Sequence, residues 1–194
     1  MNKEIEALSN NNTWDLVDLL VGKKAISSKW VYKVKLKSDG TLEWFKARLV
    51  IRGFTQQYVV DYQEVFSPVV KTTTIRSIIA LAASKNWPLS QLDVNNAFLH
   101  GDLDEEVYME VPKGIPNPSN KVCKLRKSLY GLKQASKQWF SKLSQTLLSL
   151  GYQQSKYDYS LFINKSSIDI TLVAVYVDDI MITGSNTSKI SHLK

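Results

Sequence analysis

Two consecutive carboxylates, Asp178 and Asp179, interrupt an otherwise apolar, β-branched stretch, with residues 170–177 on one side and 180–183 on the other. Such runs read as strands buried in a core. A buried strand does not hold two adjacent charges in mid-sheet without partners. The pattern therefore predicts an antiparallel hairpin that delivers both acids out of the core at its tip. An isolated Asp-Asp pair also fits an ordinary turn, since Asp favours turns. Asp93 is a second source of carboxylate: it follows Leu92 near the end of a short strand predicted over residues 89–94 and precedes Val94-Asn95-Asn96-Ala97-Phe98. Alone it reads equally as a polar strand end.

The remaining elements follow from periodicity. Residues 3–9 suit a short helix, which Asn10, Asn11, Asn12 and Thr13 end. From residue 28 to 36 the alternation sets Trp30, Tyr32, Val34 and Leu36 on one face and Lys29, Lys33 and Lys35 on the other, predicting a half-buried strand. Ser38, Asp39 and Gly40 supply a turn. Residues 42–51 return as the second strand, with Leu42, Trp44, Lys46, Arg48, Val50 and Arg52 on one face. Apolar positions 75, 78, 79 and 82 predict a helix over residues 72–85, with Thr as its N-cap and Pro88 beyond its end. Pro112, Gly114, Pro116 and Pro118 make residues 112–120 a loop. The 3.6-residue repeat over 134–150 predicts another helix, stopped at Gly151.

The net charge of +7 is distributed unevenly. Residues 21–52 carry nine Lys or Arg against Asp39 and Glu43, residues 92–110 carry six acids and no base, and residues 113–142 carry eight bases and no acid. Two basic blocks around an acidic one suit a polyanion partner together with a local use for carboxylates, or an unevenly charged solvated surface. One Cys and two His exclude a zinc centre built from those residue types and an internal disulfide framework. No Gly-rich phosphate loop is present, and a Ser-His-Asp site would rest on His100 or His192 without a supporting motif. A polar start, MNKEIEALSN, and the lack of an apolar run of about 18 residues give the expectation of an intracellular chain, cytoplasmic or nuclear, without a membrane segment.

Three carboxylates on neighbouring strands admit one demanding chemistry. Phosphoryl transfer by two divalent ions uses a few carboxylates plus the substrate phosphates to hold Mg²⁺. The triphosphate also needs cations outside the metal site, and Lys46 and Arg48 on one hairpin face can supply them.

These residues belong to a longer series: Asn12-Thr13-Trp14, Lys29-Trp30-Val31-Tyr32-Lys33, Lys46-Ala47-Arg48-Leu49-Val50, Phe66-Ser67-Pro68-Val69, Leu92-Asp93-Val94-Asn95-Asn96-Ala97-Phe98-Leu99-His100-Gly101, Ser128-Leu129-Tyr130-Gly131-Leu132-Lys133-Gln134-Ala135 and Tyr176-Val177-Asp178-Asp179. In this order, over residues 6–186, the chain resembles the reverse transcriptase of copia-type long-terminal-repeat retrotransposons. The resemblance implies an RNA-directed DNA polymerase of α+β class with a right-hand fold. Residues from about 12 to 90 would be mainly fingers, about 91–186 mainly palm with interleaved fingers segments, and 187–194 the start of a following region. It implies metal carboxylates at Asp93, Asp178 and Asp179 holding two Mg²⁺ ions, and nucleotide contacts at Lys46, Arg48, Tyr130 and Gly131. Phe98 would sit under the sugar and exclude a ribonucleotide 2′-hydroxyl, and Tyr176 would lie near the primer end. The implied partners are an RNA or DNA template with its primer, and deoxyribonucleoside triphosphates.

The chain also departs from the family pattern. Tyr58-Val59 stand where the family commonly has Glu-Gly, Ser136 where Pro is frequent, and Leu20 where a loop Pro is common. With 15 residues after Asp179, the expectation is a chain without thumb or RNase H domain. The alternative reading is a truncated, non-catalytic remnant that at most binds nucleic acid; a third is a segment that folds only within a longer polyprotein or with a partner.

Overall fold

The computed structural model describes residues 1–117 and 119–193, so expectations touching Pro118 and Lys194 lie outside the described residues. In chain order it contains α1 (Asn2–Asn10), β1 (Trp14–Val17), β2 (Ser28–Leu36), β3 (Leu42–Ile51), α2 (Thr72–Lys85), β4 (Leu89–Asp93), β5 (Tyr108–Glu110), β6 (Val122–Leu125), α3 (Ala135–Ser149), β7 (Gln153–Gln154), β8 (Leu161–Lys165), β9 (Ile170–Tyr176), β10 (Asp179–Gly184) and α4 (Thr187–His192). The class is α+β, as expected. Two compact units form: Met1–Phe66 with Phe98–Trp139, and Ser67–Ala97 with the chain from Phe140 onward. Among the described residues no helix is long and apolar enough to cross a membrane.

The second unit is an antiparallel sheet of order β4-β10-β9-β8-β7. In β9 every residue from Thr171 to Val175 is buried, so both faces of this strand are covered. That explains why its sequence is a continuous apolar run and not an alternating one. One core cluster joins Val70 and Ile78 to Leu172 and Ala174, with Ile75, Trp87 and Met181 packed against it. Helix α2 occupies the residues that its periodicity predicts, and Asn86, at φ +52°, ends it in the left-handed region.

Its N-terminus corrects the expected Thr cap. The N-cap is Lys71, whose own side chain makes no cap bond. A carboxylate from a distant loop takes the role: Asp158 Oδ2 accepts from Lys71 N–H at 3.0 Å and from the Thr74 hydroxyl at 2.6 Å, while Oδ1 accepts from Ser160 N–H at 3.1 Å. Burial pushes the Asp158 pKa up, but the Thr74 hydroxyl and the two backbone N–H donors outweigh it and hold the carboxyl below its usual value.

In the first unit β1, β6 and β5 form a three-stranded antiparallel sheet. Cys123 on β6 is buried, and burial pushes its thiol up to about 12, which removes it from thiolate chemistry. The β2–β3 hairpin has the expected boundaries but not the expected burial. Beyond Trp30, whose indole N–H donates to the Lys113 carbonyl at 2.9 Å, β2 is exposed on both faces. Leu42 also leaves its expected face. The register shifts between Lys35 and Leu36, so Leu42 pairs with Leu36 while Trp44 pairs with Lys35.

Several bases of the two basic blocks meet acids within this unit, two of those acids belonging to the acidic block. Glu106 pairs with Lys124 and Lys23, Asp102 with Lys127, Asp15 with Arg126, and Glu64 with Lys137. Lys124, then the Tyr108 hydroxyl, lower the Glu106 pKa to about 2. Part of the charge pattern is thus internal pairing.

Two stability effects follow. Asp158→Ala should lower unfolding free energy at pH 7 by about 3 kcal/mol, since it strands donors that served a charged acceptor. Because the folded pKa of Asp158 is depressed, its contribution is complete above the unfolded carboxyl value of about 3.9 and is lost as pH falls through the folded value. Urea titrations of both chains at pH 7 and pH 3 should therefore show the gap narrowing in acid. Val59, exposed and at φ +70°, occupies a conformation that is costly for a β-branched residue. Val59→Gly should raise stability by about 1 kcal/mol, the relief of left-handed strain less the greater freedom of Gly when unfolded; an unchanged or lower urea midpoint would contradict this.

Candidate active site

The carboxylates are positioned by strand register. Asp179, the first residue of β10, is the Cα partner of Tyr176 on β9 and of Asp93 on β4. Residues directly opposite in an antiparallel pair point to the same face, so Asp93 and Asp179 project together from one end of the sheet. The turn between β9 and β10 consists of Val177 and Asp178 alone, and the Asp178 carbonyl accepts from Val94 N–H at 3.1 Å. This refines the expected hairpin: Asp178 lies in the turn, whereas Asp179 already belongs to a strand. Val177 adopts φ +56°. That is a conformation expected of Gly in a two-residue hairpin loop and strained for a β-branched side chain.

Asp93 is exposed, and Asp178 and Asp179 are half-buried. Gln91 Nε2 donates to Asp179 Oδ1 at 3.1 Å. Among the described residues none of the three acids is in an ion pair, and no group of three or more His, Cys, Asp or Glu is gathered closely enough to hold a metal ion. Like charges opposite each other destabilise a sheet. The arrangement therefore carries concentrated negative charge that the described protein side chains leave without an opposing charge. Tyr176, the last residue of β9, is 53% exposed and lines a groove of about 530 Å³ with Ile75, Ile79, Leu89, Ala174 and Met181.

The nucleotide-contact candidates lie in the first unit. Arg48 on β3 places its guanidinium carbon 4.6 Å from the centre of the Tyr130 ring and its Nη1 4.0 Å from Glu4 Oε1. Phe98, buried, meets the edge of Tyr130 with centroids 4.6 Å apart. Arg48, Tyr130 and Phe98 thus form one contiguous row, the guanidinium over the Tyr130 ring and the two rings T-shaped to each other. Lys46 lies two residues along β3, on the same face as Arg48.

Gly131 has a steric reason to be Gly. Its φ is +94°, and a Cβ there would meet the Ile51 carbonyl oxygen at 2.1 Å. Ile51 N–H donates to the Tyr130 carbonyl at 2.8 Å, so the end of β3 is bonded directly to the Tyr130-Gly131 backbone. A buried pair missed by sequence reasoning completes the support. Gln56 Oε1 accepts from Lys133 N–H at 2.9 Å, Gln56 Nε2 donates to Gln134 Oε1 at 3.1 Å, and Gln134 Nε2 donates to the Asp61 carbonyl at 3.1 Å. Gln134 was visible within a motif, but no local signal connected it to a residue 78 positions away. Gln91 was likewise legible only as an exposed strand position.

Residues 11–194 match the model of a family described as reverse transcriptase (RNA-dependent DNA polymerase). The chain is 45% identical over 197 residues to the retrovirus-related Pol polyprotein from transposon TNT 1-94 of Nicotiana tabacum, covering 100% of this chain and 15% of that protein. It is 47% identical over 189 residues to the Pol polyprotein from transposon RE1 of Arabidopsis thaliana, covering 96% and 13% respectively. To that from transposon RE2 of the same plant it is 45% identical over 195 residues, covering 99% and 13%. The chain thus spans about one seventh of the length of these relatives. Gly131→Ala should destabilise the first unit by at least about 2 kcal/mol, through positive-φ strain and displacement of β3. Equal urea midpoints for variant and parent would show that the loop adapts.

Proposed function

The chain belongs to the reverse transcriptase (RNA-dependent DNA polymerase) family of copia-type retrotransposon Pol polyproteins, and from that premise we propose that it is the fingers-and-palm part of an RNA-directed DNA polymerase. In this reading residues from about 12 to 90 are mainly fingers and from about 91 to 186 mainly palm. The reaction joins a deoxyribonucleoside triphosphate to a primer 3′-hydroxyl on an RNA or DNA template. The observation that carries the proposal is the cross-strand partnership of Asp93 with Asp179, with Asp178 in the adjoining turn.

Three carboxylates are the hard oxygen donors that Mg²⁺ prefers, and Mg²⁺ commonly takes one or two of them and completes its shell with substrate phosphates and water. The donor chemistry therefore suits the ion, while the three carboxylates are not gathered into a protein-only site and substrate phosphates and water would have to complete it. Asp93 and Asp178 would hold the two ions, and Asp179, hydrogen-bonded by Gln91, would assist. When bound, the ions supply charge stabilisation to the attacking and leaving oxygens. Lys46 and Arg48 neutralise the triphosphate and hold it in place. Arg48 is itself braced by Tyr130 and Glu4. Phe98, held at its edge by Tyr130, occupies the space below the sugar and rejects a 2′-hydroxyl sterically. Gly131 lets backbone approach the new base pair without a side chain intervening, and Tyr176 contacts the primer end.

Primer extension on an RNA template with Mg²⁺ and deoxyribonucleotides tests this reading. Asp178→Asn should reduce extension by about 100-fold or more, the scale of lost electrostatic stabilisation, and Phe98→Ala should raise ribonucleotide use relative to deoxyribonucleotide. Extension only by a chain lengthened with a thumb would mark a competent but truncated site, and no extension by either folded chain would leave the non-catalytic nucleic-acid-binding reading in its place.

A further inference from the structure

Arg48 makes two contacts of unequal quality. Its guanidinium carbon lies 4.6 Å from the centre of the Tyr130 ring, within the range of a cation–π interaction. Its Nη1 stands 4.0 Å from Glu4 Oε1, too far for a hydrogen bond, whereas the other ion pairs among the described residues are at 3.4 Å or shorter. The same pair is the least exposed of the set, with 12% of the Glu4 side chain and 20% of the Arg48 side chain open to solvent. A pair with little water around it repays its desolvation only through close, hydrogen-bonded geometry. Glu4 and Arg48 combine burial with a loose fit, which is the opposite of what a structural salt bridge needs.

The helix that carries Glu4 suits an exchangeable contact. α1 is fixed toward its C-terminal end, where Leu8 is buried and its carbonyl accepts from the Thr13 hydroxyl at 2.6 Å. Glu4 belongs to the first turn, and Asn2, Lys3 and Glu6 around it are exposed. The carboxylate can therefore withdraw without disturbing the core. A phosphate offers a guanidinium a bidentate partner, shorter and stronger than a carboxylate at 4.0 Å. Two anions beside one guanidinium also repel each other, the more so where little water screens them. We propose that Glu4 is a placeholder anion: it keeps Arg48 on the Tyr130 ring while no nucleotide is bound and is displaced by the incoming triphosphate, which frees the first turn of α1. Glu4 is then a positioning residue that tunes nucleotide affinity through Arg48. The proposal rests on the polymerase reading for the assignment of Arg48 to the triphosphate.

The test is calorimetric titration of the full chain with inorganic tripolyphosphate, without metal, and with deoxyadenosine triphosphate and Mg²⁺. Glu4→Gln should tighten both about 5-fold, the upper end for one charge pair. Glu6→Gln, which removes the same charge from the same helix, should change neither. Arg48→Gln should weaken binding, and in that background Glu4→Gln should give no gain, because the placeholder acts only through Arg48. Hydrogen exchange supplies a readout that needs no variant: saturating tripolyphosphate should speed amide exchange in residues 2–10 of the parent chain. Unchanged or weaker binding by Glu4→Gln, an equal gain in Glu6→Gln, a gain that survives Arg48→Gln, no binding by the parent, or unaltered exchange in α1 would overturn the placeholder. A chain that extends a primer without these effects refutes the placeholder alone. One that shows them, while neither it nor its thumb-lengthened form extends a primer, refutes the polymerase reading alone.

Discussion

Strand register between β4 and β10 is the constraint on which the candidate site depends. Side chains alternate faces along a strand, so a slip of one residue would turn Asp179 away from Asp93 and bring Met181 or Leu92 toward the wrong side. The register is secured from several directions. Ile180 and Ile182 are buried, β9 pairs along the whole other edge of β10, and the Thr183 hydroxyl donates to the Pro88 carbonyl at 2.8 Å just before β4 begins. An apolar strand thus locates a charged end that would not choose that location for itself. The opposition of Asp93 and Asp179 is tolerated because it occurs at the rim, where Asp93 is exposed, and not inside the sheet.

Charge is handled differently in the two basic regions. Two acids of the segment from 92 to 110, Asp102 and Glu106, meet Lys127 and Lys124 of the basic segment that follows, and Glu106 ties Lys124 of β6 to Lys23. Exposed pairs of that kind contribute little individually. Their consequence is chiefly that fewer cations there remain for a polyanion. On the hairpin Lys29, Lys33 and Lys35 are exposed and in no ion pair among the described residues, whereas Arg48 meets Glu4 and Tyr130. Net charge alone would have assigned both blocks the same role.

Elements with a complete local signal were legible in the sequence. Helix α2 and the β2–β3 hairpin have their predicted boundaries because periodicity, turn residues and stops lie within the segments themselves. β1, β5, β6, β7 and β8 were not anticipated, since strands of two to five residues carry too little alternation and exist through their partners. The cap of α2 was misread for the same reason: the acceptor, Asp158, stands 84 to 87 residues away from its donors. Alternation in β2 correctly separated Lys from aromatic positions but did not establish burial. Two faces of different chemistry look the same in sequence whether one is covered or neither is. The carboxylates were found from their apolar surroundings, whereas Gln91, Gln56 and Gln134, which act through distant partners, had no local pattern to betray them.

Val59 and Val177 make the same backbone demand with different meanings. Each is β-branched and held at positive φ, at +70° and +56°. Strain of this kind persists only where surrounding structure over-determines it. At Val177 the surroundings do so: β9 and β10 enter the turn already paired, with Tyr176 opposite Asp179 and the Asp178 carbonyl bonded to Val94 N–H. A two-residue turn is then the shortest connection that keeps Asp178 and Asp179 beside Asp93, and the strain accompanies that placement. Val59 has a weaker frame, its N–H donating to the Tyr62 carbonyl at 2.8 Å in an exposed loop. It places no carboxylate and braces no nucleotide contact. The two residues are therefore physically unequal although both have positive φ: strain at Val177 is coupled to the geometry of the candidate site, while strain at Val59 is a local liability that the fold tolerates.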